Sequence, residues 1–548
     1  MTDPWTLGAL ALGAAAAVPV AKRRIELSLA KHPSLAGHAR MARRVARLVP
    51  GYAYGEDRFF GVDGAPPEVQ QRRRAAFARL AQALASRHER TIELTRSARA
   101  AIPDLQFTAA YRVPYPFSAH VRAQLPIGAF LERSEGVTFT DLDGRTFIDL
   151  TGSYGVNLFG TDFYKTCIAE GSARAAALGP VLGSYHPSVA SNVERLRQLS
   201  GQDEVSFHMS GTEAVMQAVR LARYHSGRSH VVRFTGAYHG WWEDVQPGPG
   251  NPTPPGRTYT LKEMDEDTLR VLRTRRDIAC VLINPLQALH PNRAAPSDGT
   301  LVAGRRGAPA ARAAYARWLH SLREVCSARG IALVFDEVFM GFRLAPGGAQ
   351  QYFGVRADLV TYGKTLGGGL PVGVVCGASR WMKRFRDERP ADICFARGTF
   401  NAHPYVMGAM QVFLERLDEG PVRALYQDMD ERWDARAARL NARLQAESMP
   451  LRVANLGTVW TVDHDLPSRY NWMLQFYLRE QGLALSWVGT GRLIFSLAHG
   501  EADFDAVCDR FLAAARSMRD DGWWWVAPAQ SQRSVGRGLL LEMLRARR

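Results

Sequence analysis

Short apolar runs alternate with longer stretches of helical periodicity through the middle of this 548-residue chain. The apolar runs predict strands at residues 205–208, 230–234, 280–283, 332–335, 359–362 and 372–375. Helical periodicity predicts helices between several of them, including residues 213–225 and 312–329. Apolar strands that alternate with helices indicate a mostly parallel sheet covered on both faces. The predicted fold class is therefore α/β, and such sheets bind ligands at the carboxyl ends of their strands.

Different patterns flank this central region. Residues 137–150 alternate apolar and polar positions around Asp143-Gly144, which predicts a β-hairpin. Apolar residues at helical spacing between arginines predict helices over residues 68–100 and 422–447. These changes of pattern divide the chain into an apolar N-terminal segment (1–25), a basic helical extension (26–113), the N-terminal part of a small domain (114–160), a large ligand-binding domain (161–420), a small α+β C-terminal domain (421–527) and a basic tail (528–548).

The N-terminal segment bears on membrane attachment. Residues 6–21 form an uncharged, alanine-rich run that Lys22-Arg23-Arg24 follows. A spanning helix needs about 20 apolar residues, so this run is short for a span, and it lacks the preceding cations of a secretory signal. Three interpretations stay open: a membrane anchor, a helix docked on protein, or a disordered segment. We expect a cytoplasmic protein, which the cations would hold at the inner face of the membrane if the segment inserts.

Charge and cysteine usage restrict the function classes. The formal net charge of +16 comes from arginine, since the chain has only six lysines. Either a biased composition or an anionic membrane surface explains this charge, whereas no RNP run or zinc-finger spacing indicates nucleic acid. The six cysteines form no CxxC pair. They indicate free thiols in a reducing compartment, and neither a disulfide framework nor a metal site is predicted.

One lysine lies between a predicted strand and a glycine cluster, in Gly363-Lys364-Thr365-Leu366-Gly367-Gly368-Gly369. Glycines let the backbone approach a ligand closely. A lysine held there can form a Schiff base with a carbonyl compound if burial or a neighbouring cation lowers its pKa. The alternative is a solvated lysine in a surface turn. The scarcity of lysine favours the Schiff base, because arginine supplies nearly every other cation of the chain.

Four further motifs follow predicted strands or end in a similar turn. Ser210-Gly211-Thr212-Glu213 opens a helix, where free N–H groups bind anions, although these residues also suit a plain helix cap. Tyr238 and His239 lie between glycines, and the tyrosine ring either stacks on a planar ligand or packs in a turn. Asp336 ends an apolar strand, where a buried carboxylate needs a ring nitrogen or a salt bridge as its partner. Arg397-Gly398-Thr399 adds a turn with a hydroxyl group.

These features together describe a site for a planar, phosphorylated, cationic ring that carries an aldehyde, which is pyridoxal phosphate. A nicotinamide cofactor would instead require G-x-G-x-x-G directly after the first strand, and the sequence has none there. Residues 118–499 resemble the class III, fold-type-I pyridoxal-phosphate enzymes, especially the branch that contains glutamate-1-semialdehyde 2,1-aminomutase. The motifs that carry the resemblance are S-G-T-E-A at 210–214, A-Y-H-G at 237–240, D-E-V and G-F-R within 336–343, and the G-K segment at 363–373.

The resemblance implies a role for each site residue. Lys364 would form the Schiff base and move a proton, and Asp336 would pair with the ring nitrogen. Thr399 would reach the phosphate bound by the neighbouring subunit of a homodimer. The predicted site comprises Lys364 and Asp336 as catalytic residues; Ser210, Gly211, Thr212, Tyr238, His239, Val338, Gln287 and Thr399 as further cofactor-binding residues; and Ser153, Tyr154 and Glu213 on the substrate side.

Departures from the family pattern favour one reaction. The loop at 152–155 resembles the substrate-side loop of the aminomutase, but with Tyr154 where tryptophan is usual. Asn284 stands where glutamate is usual, and Gln287 matches a glutamine that many class III aminotransferases have and the aminomutases generally lack. Because of Asn284 and Gln287, we predict an aminotransferase that moves an amino group from an amino-acid donor to an aldehyde or ketone. The alternatives are a 1,2-aminomutase and a non-catalytic, membrane-associated scaffold. The apolar and basic N-terminus suggests a hydrophobic or carrier-bound acceptor and contact with a membrane surface.

Overall fold

A seven-stranded mixed sheet forms the centre of the protein. The computed structural model describes residues 18–253, 256–285, 312–486 and 491–547. In spatial order the strands are β4 (Glu204–His208), β10 (Gly373–Gly377), β9 (Leu359–Gly363), β8 (Ala332–Asp336), β7 (Ile278–Ile283), β5 (His230–Phe234) and β6 (Thr258–Leu261). β10 runs antiparallel to both of its neighbours, and the remaining pairs are parallel. The predicted α/β class and the six predicted strands are confirmed. The short edge strand β6 was not predicted, because its alternating threonines do not form an apolar run.

Helices cover both faces of this sheet. Every residue of β7, β8 and β9 is buried, as strands between two helical layers require. The six cysteines are free and buried. The helices of this part are α8 (Thr161–Ala175), α9 (Ser188–Ser200), α10 (Gly211–Ser226), α11 (Glu266–Thr274), α12 (Arg312–Arg329), α13 (Gly348–Phe353), α14 (Ser379–Met382) and α15 (Pro404–Arg416).

Two smaller sheets combine distant parts of the chain. The predicted hairpin is confirmed as β2 (Thr138–Asp141) and β3 (Thr146–Asp149); it forms a four-stranded sheet with β1 (Leu131–Glu135) and β15 (Leu483–Ala484). β13 (Leu451–Leu456), β14 (Val459–His464) and β16 (Arg492–Ile494) form the second sheet, and β11 (Phe385–Arg386) pairs with β12 (Arg389–Ile393). The later helices are α16 (Gly420–Ala424), α17 (Met429–Ala446), α18 (Leu474–Glu480), α19 (Glu501–Asp520) and α20 (Gln532–Ala546).

The N-terminal extension is helical. It contains α1 (residues 18–30), α2 (Ala39–Ala46), α3 (Glu56–Phe59), α4 (Pro67–Arg87), α5 (Glu89–Arg99), α6 (Pro103–Tyr111) and α7 (Tyr115–Gln124). Short 3-10 turns occur at Leu35–Gly37, Gly152–Gly155, Lys364–Gly367 and Asn471–Met473. Most of the candidate membrane segment at residues 6–21 lies outside the described residues. Among the helices that are described, none is long and apolar enough to cross a bilayer.

Two helices predicted from periodicity are each divided in the structure. Residues 68–100 form α4 and α5, which part at His88, and the His88 Nδ1 lies 2.5 Å from the Oδ2 of Asp141. Residues 422–447 form α16 and α17, which part before Asp428, a residue with left-handed backbone at φ 46°. The apolar periodicity continues across both breaks because it records only which residues face the core. The helices end for other reasons: the His88–Asp141 contact at the first break and the left-handed backbone of Asp428 at the second.

A buried arginine, paired within the extension, fixes the extension to the C-terminal part of the chain. The Arg73 and Asp63 side chains are both fully buried, with 2.8 Å between Nη2 and Oδ2. The Arg73 Nε also donates a hydrogen bond to the carbonyl oxygen of Gly522 at 2.9 Å. The guanidinium lies 4.4 Å from the ring centroid of Tyr470. The extension is therefore integral to the packed structure and is not a separable appendage.

We expect Arg73→Met to destabilise the protein by about 3–5 kcal/mol, because the Asp63 carboxylate would remain buried without its partner. Urea denaturation followed by circular dichroism measures this loss. Arg72→Met changes an exposed neighbour of the same helix and should alter the unfolding free energy by about 0.5 kcal/mol at most. Equal denaturation midpoints for the two variants would contradict a structural role for the pair.

Candidate active site

The carboxyl ends of β4, β5, β8 and β9 bring the predicted site residues to one edge of the central sheet. Asp336 pairs in register with Thr361 across the parallel strands β8 and β9. Lys364, which directly follows β9, therefore lies beside the end of β8, and its charge interacts with that of Asp336. Adjacent parallel strands thus place the lysine and the carboxylate together, although 27 residues lie between them in the sequence.

Close backbone approach holds the start of α10 against this edge. A Cβ atom on Gly211 would lie 2.5 Å from Cγ1 of Val338, and one on Gly363 would lie 3.2 Å from the same atom. A Cβ on Gly373 would lie 1.9 Å from the carbonyl oxygen of Ser210. Real Cβ atoms essentially never approach other atoms as closely as the contacts at Gly211 and Gly373, and the contact at Gly363 is tighter than most. Glycine is therefore required at the helix start and in β10, and a larger residue would crowd the strand before Lys364.

The Asp336 carboxylate is buried and held by three donors. Its Oδ2 lies 2.7 Å from Nδ1 of His239, and its Oδ1 accepts hydrogen bonds from the N–H of Val338 at 3.1 Å and the hydroxyl of Thr361 at 3.3 Å. Burial lowers the pKa of His239, although Asp336 opposes this shift. The Nε2 of His239 has no partner among the described residues. The neutral imidazole can therefore donate its Nδ1 proton to Asp336 and fix the orientation of the carboxylate.

The Lys364 amine is poised as a nucleophile. Its backbone has a left-handed φ of 46°, and a Cβ on Gly155 would lie 3.2 Å from the Lys364 Cδ. The amine has no hydrogen bond or salt bridge to any residue that the structure describes. Burial lowers the pKa of Lys364, the positive charge of Arg343 lowers it further, and Asp336 acts in the opposite direction. These effects enlarge the neutral, nucleophilic fraction of the amine.

Sequence analysis missed the role of Arg343. Its guanidinium is buried and donates to the Thr458 hydroxyl at 2.8 Å and to the carbonyl oxygens of Phe495 at 3.1 Å and Gly155 at 3.3 Å. No carboxylate among the described residues pairs with it, and burial lowers its pKa to about 10. It still carries a positive charge at neutral pH and acts on Lys364. In the sequence the G-F-R motif at 341–343 contains this arginine, but the motif does not show which group the side chain acts on.

The predicted anion-binding residues divide into two roles. The hydroxyl of Ser210 accepts a hydrogen bond from the N–H of Glu213 at 3.3 Å, and the Glu213 carboxylate accepts one from the N–H of Met209 at 2.9 Å. These two residues therefore cap α10. The N–H groups of Gly211 and Thr212 make no hydrogen bond within the described chain. They point out of a helix N-terminus, where the helix dipole favours an anion such as a phosphate.

An exposed aromatic ring belongs to the turn beside this helix start. Tyr238 is 62% exposed; partial burial raises the pKa of its hydroxyl, and the charge of Asp336 raises it further. A Cβ on Gly240 would lie 2.6 Å from Oγ1 of Thr212, so this turn packs against the start of α10. The ring is thus free to cover the face of a planar ligand.

The remaining predicted residues have different positions. Ser153 and Tyr154 have left-handed backbones with φ of 45° and 57°, and Tyr154 directly precedes Gly155, which contacts Lys364. Thr399 lies exposed in a turn, and no hydrogen bond in the described residues joins it to the rest of the site. Gln287 lies outside the described residues. The structure therefore brings the substrate-side loop to the lysine.

The arrangement fits pyridoxal phosphate. The unpaired amine of Lys364 matches the aldehyde, the fixed carboxylate of Asp336 matches a protonated ring nitrogen, and Tyr238 offers a stacking face. The free N–H groups of Gly211 and Thr212 match the phosphate. The aldehyde, the ring nitrogen, the ring face and the phosphate of the cofactor thus each have a complementary group on this edge of the sheet.

A second buried carboxylate follows Asp336 directly. The Glu337 side chain accepts hydrogen bonds from the N–H groups of Ala349 at 2.7 Å and Gln350 at 3.2 Å, at the start of α13. Burial outweighs these bonds and raises the pKa of Glu337 to about 7. The carboxyl group anchors α13 against the end of β8 and so supports the position of Asp336.

Comparisons with known proteins match most of the chain. The family model described as aminotransferase class-III matches residues 119–245 and 259–515. A glutamate-1-semialdehyde 2,1-aminomutase of Nitratidesulfovibrio vulgaris is 32% identical over 418 residues, which cover 72% of this chain and 95% of that protein. An omega-transaminase from Sphaerobacter thermophilus is 25% identical with a TM-score of 0.64, covering 78% of this chain and 98% of the other. A glutamate-1-semialdehyde aminomutase from Pseudomonas aeruginosa PAO1 shares the fold at 19% identity, with a TM-score of 0.65 and coverage of 82% and 99%.

The raised pKa of Glu337 predicts a pH-dependent stability. The folded state holds the proton more tightly than the unfolded state, so the stabilisation is complete below about pH 4.5 and is lost as the pH rises towards 7. Between pH 5 and 8, the unfolding free energy of the wild type should fall relative to Glu337→Gln by up to about 3 kcal/mol. Urea titrations at each pH measure this difference.

The control is Glu204→Gln, which changes an exposed glutamate of the same sheet. Its pH profile should run parallel to that of the wild type. If the profile of Glu337→Gln also runs parallel to the wild type, Glu337 does not take up a proton in this range.

Proposed function

The chain belongs to the aminotransferase class-III family and depends on pyridoxal phosphate, and from this premise we propose that it transfers an amino group from an amino-acid donor to an aldehyde or ketone acceptor. The observation that carries the proposal is the unpaired amine of Lys364 beside the fixed carboxylate of Asp336. A lysine at this position serves first as the attachment point of the cofactor and then as the acid and base of the reaction.

Each residue has a defined task in this reaction. Bound pyridoxal phosphate supplies a reactive carbonyl and a sink for electrons. The Lys364 amine, with its lowered pKa, would take the proton from the α-carbon of the donor and pass it to the carbonyl carbon of the cofactor. Asp336 holds the ring nitrogen protonated by its negative charge, and Gly211 and Thr212 hold the phosphate through their N–H groups. Tyr238 covers the ring and limits access of water.

Intermolecular transfer is our first candidate because of particular residues. Gln287, Asn284 and Tyr154 stand where the aminomutase pattern has other residues. The second candidate, a 1,2-aminomutase, is favoured by the names of the curated relatives, which include glutamate-1-semialdehyde 2,1-aminomutase. The two reactions share their first half, in which the donor loses its amino group. They differ in the second half, because only the transferase needs a separate carbonyl compound.

An absorbance experiment distinguishes these candidates. Purified protein with pyridoxal phosphate is mixed with single amino acids, and the visible absorbance of the bound cofactor is followed. We expect one or more donors to abolish the band and only an added aldehyde or ketone to restore it. Lys364→Ala, which lacks the amine, should lose turnover by about 10³-fold or more, as loss of a covalent and acid–base group predicts.

The other outcomes have distinct meanings. Restoration of the band without an added carbonyl compound, with an isomerised product, would support the aminomutase. Wild-type and Lys364→Ala proteins with equal turnover would contradict both candidates.

We also propose that two copies of the chain form the working enzyme. The support is a pair of exposed aromatic residues on the loop that contains Arg397. Arg397 joins this loop to a neighbouring one by donating a hydrogen bond to the carbonyl oxygen of Gly183 at 3.2 Å. Phe395 is 66% exposed, Phe400 is 51% exposed and Thr399 lies beside it. A second copy that covers this patch would bury apolar surface and bring Thr399 to the cofactor phosphate of its partner.

The double variant Phe395→Glu/Phe400→Glu should shift the protein towards the monomer and weaken its hold on the cofactor, because charged groups would be buried at the contact. Sedimentation velocity measures the association, and fluorescence titration measures cofactor affinity. Leu544→Glu places the same charge on an exposed leucine of α20 and should leave both unchanged. A wild type that sediments as a monomer at micromolar concentration would refute the dimer.

A further inference from the structure

Two helices of the N-terminal extension rest beside the edge strand β6 of the central sheet. The carbonyl oxygen of Ala30, at the end of α1, accepts a hydrogen bond at 2.8 Å from the N–H of Lys262, which directly follows β6. The Arg43 guanidinium of α2 donates hydrogen bonds to the carbonyl oxygens of Thr253 at 2.9 Å and Pro252 at 3.3 Å. Contacts with the large domain therefore hold both helices in place.

The outward side of α1 is apolar. Val18, Ile25 and Leu29 follow one another at intervals of seven and four residues, so they lie along one side of the helix. All three are more than half exposed, whereas on the opposite side Ala30 is buried and Leu27 packs against the core. A surface helix normally turns its apolar stripe towards the core. The outward stripe of α1 therefore indicates a partner that accepts apolar side chains.

The segment around α2 repeats this arrangement. Met41 and Leu48 are seven residues apart and more than half exposed, while Ala42 between them is buried. Leu48 lies in the turn after the helix, where its N–H donates to the carbonyl oxygen of Val45 at 2.8 Å and continues the helical spacing. Both segments thus present apolar side chains to solvent next to the same edge of the sheet.

Cations without carboxylate partners accompany both apolar stripes. Residues 18–50 contain eight lysines and arginines but one acidic residue, Glu26, whose carboxylate accepts a hydrogen bond from the Thr274 hydroxyl of α11 at 3.4 Å. None of the eight cations forms a salt bridge within the part of the chain that the structure describes, in contrast to exposed arginines such as Arg96, which pairs with Glu93. Six of the eight are exposed: Lys22, Arg23, Arg24, Arg40, Arg44 and Arg47.

We propose that α1 and α2 bind the surface of an anionic lipid bilayer. The apolar side chains enter the boundary between headgroups and acyl chains, and the cations beside them pair with lipid phosphates. Such binding needs no spanning helix. The exposed aliphatic side chains favour a bilayer over nucleic acid, because binding to a phosphate backbone uses the cations alone. The interaction is separate from the amino-transfer reaction and uses residues outside the family match.

Vesicle co-sedimentation over a range of lipid concentrations tests this proposal on the whole chain with bound pyridoxal phosphate. Vesicles of phosphatidylcholine alone are compared with vesicles of phosphatidylcholine and phosphatidylglycerol. We expect the wild type to bind the anionic vesicles and not the neutral ones, and added salt to weaken the binding because it screens exposed charges. A wild type that binds neither kind of vesicle, or both equally, would overturn the proposal.

Two variants separate the apolar and the cationic contributions. Ile25→Glu/Leu29→Glu should weaken binding to anionic vesicles by about tenfold or more, because two apolar side chains no longer enter the bilayer. Arg40→Gln/Arg44→Gln/Arg47→Gln should weaken it by roughly 100-fold, because each cation near an anionic leaflet contributes about fivefold. All five side chains are exposed, so the circular dichroism and the cofactor band of both variants should match those of the wild type.

Each variant has a matched control within the extension. Phe107→Glu/Tyr111→Glu places the same two charges, also four residues apart, on an exposed aromatic pair of α6, a helix without lysine or arginine. Arg87→Gln/Arg90→Gln/Arg96→Gln removes the same number of exposed cations from α4 and α5. Both controls should bind anionic vesicles like the wild type. Equal losses in a variant and its control, or unchanged binding in both variants, would overturn the proposal.

Other occupants of this surface would give different results. If it binds nucleic acid, the wild type and Ile25→Glu/Leu29→Glu should bind duplex DNA alike in a titration, and neither should bind vesicles. If it binds a second copy of the chain, sedimentation velocity should show an assembly that Ile25→Glu/Leu29→Glu loses, again without vesicle binding. Either result would overturn the assignment to lipid.

Discussion

Close contact between backbone segments at the carboxyl edge of the sheet controls the geometry of this site. Gly211 and Gly373 approach Val338 and Ser210 so closely that a methyl group at either would collide, and one at Gly363 would crowd Val338. The helix N-terminus, the lysine and the strand-end carboxylate can converge only because these side chains are absent. Once the backbone is placed, the free N–H groups and the lysine amine face the same space. The chemistry of the site therefore depends on a steric condition.

Incomplete charge pairing gives this space its reactivity. Lys364 and Arg343 are enclosed cations without a carboxylate salt bridge in the described residues, and burial lowers the pKa of each. Arg343 donates hydrogen bonds to uncharged oxygens, so its positive charge is left to act on Lys364. Such charges are costly in an empty site and favourable once a ligand supplies the opposite charge. In contrast, Arg73 is paired with Asp63 and serves the fold.

The N-terminal extension serves the fold. Its Arg73 donates a hydrogen bond to the carbonyl oxygen of Gly522, and its Tyr54 hydroxyl donates one to the Glu542 carboxylate of α20 at 2.5 Å. A segment outside the family match is therefore packed against the C-terminal part of the chain.

The sequence alone determined the α/β class, six strands of the central sheet and the strand-end motifs around Lys364 and Asp336, because these depend on local periodicity and on residue types at fixed spacing. It did not determine where His88 and Asp428 interrupt helices, and it left open whether Ser210 and Glu213 bind an anion or cap α10. It included Arg343 in the G-F-R motif but did not show that this charge acts on the lysine. Only the tertiary structure decides which charges lose water and which find a partner, since desolvation is a property of the whole fold.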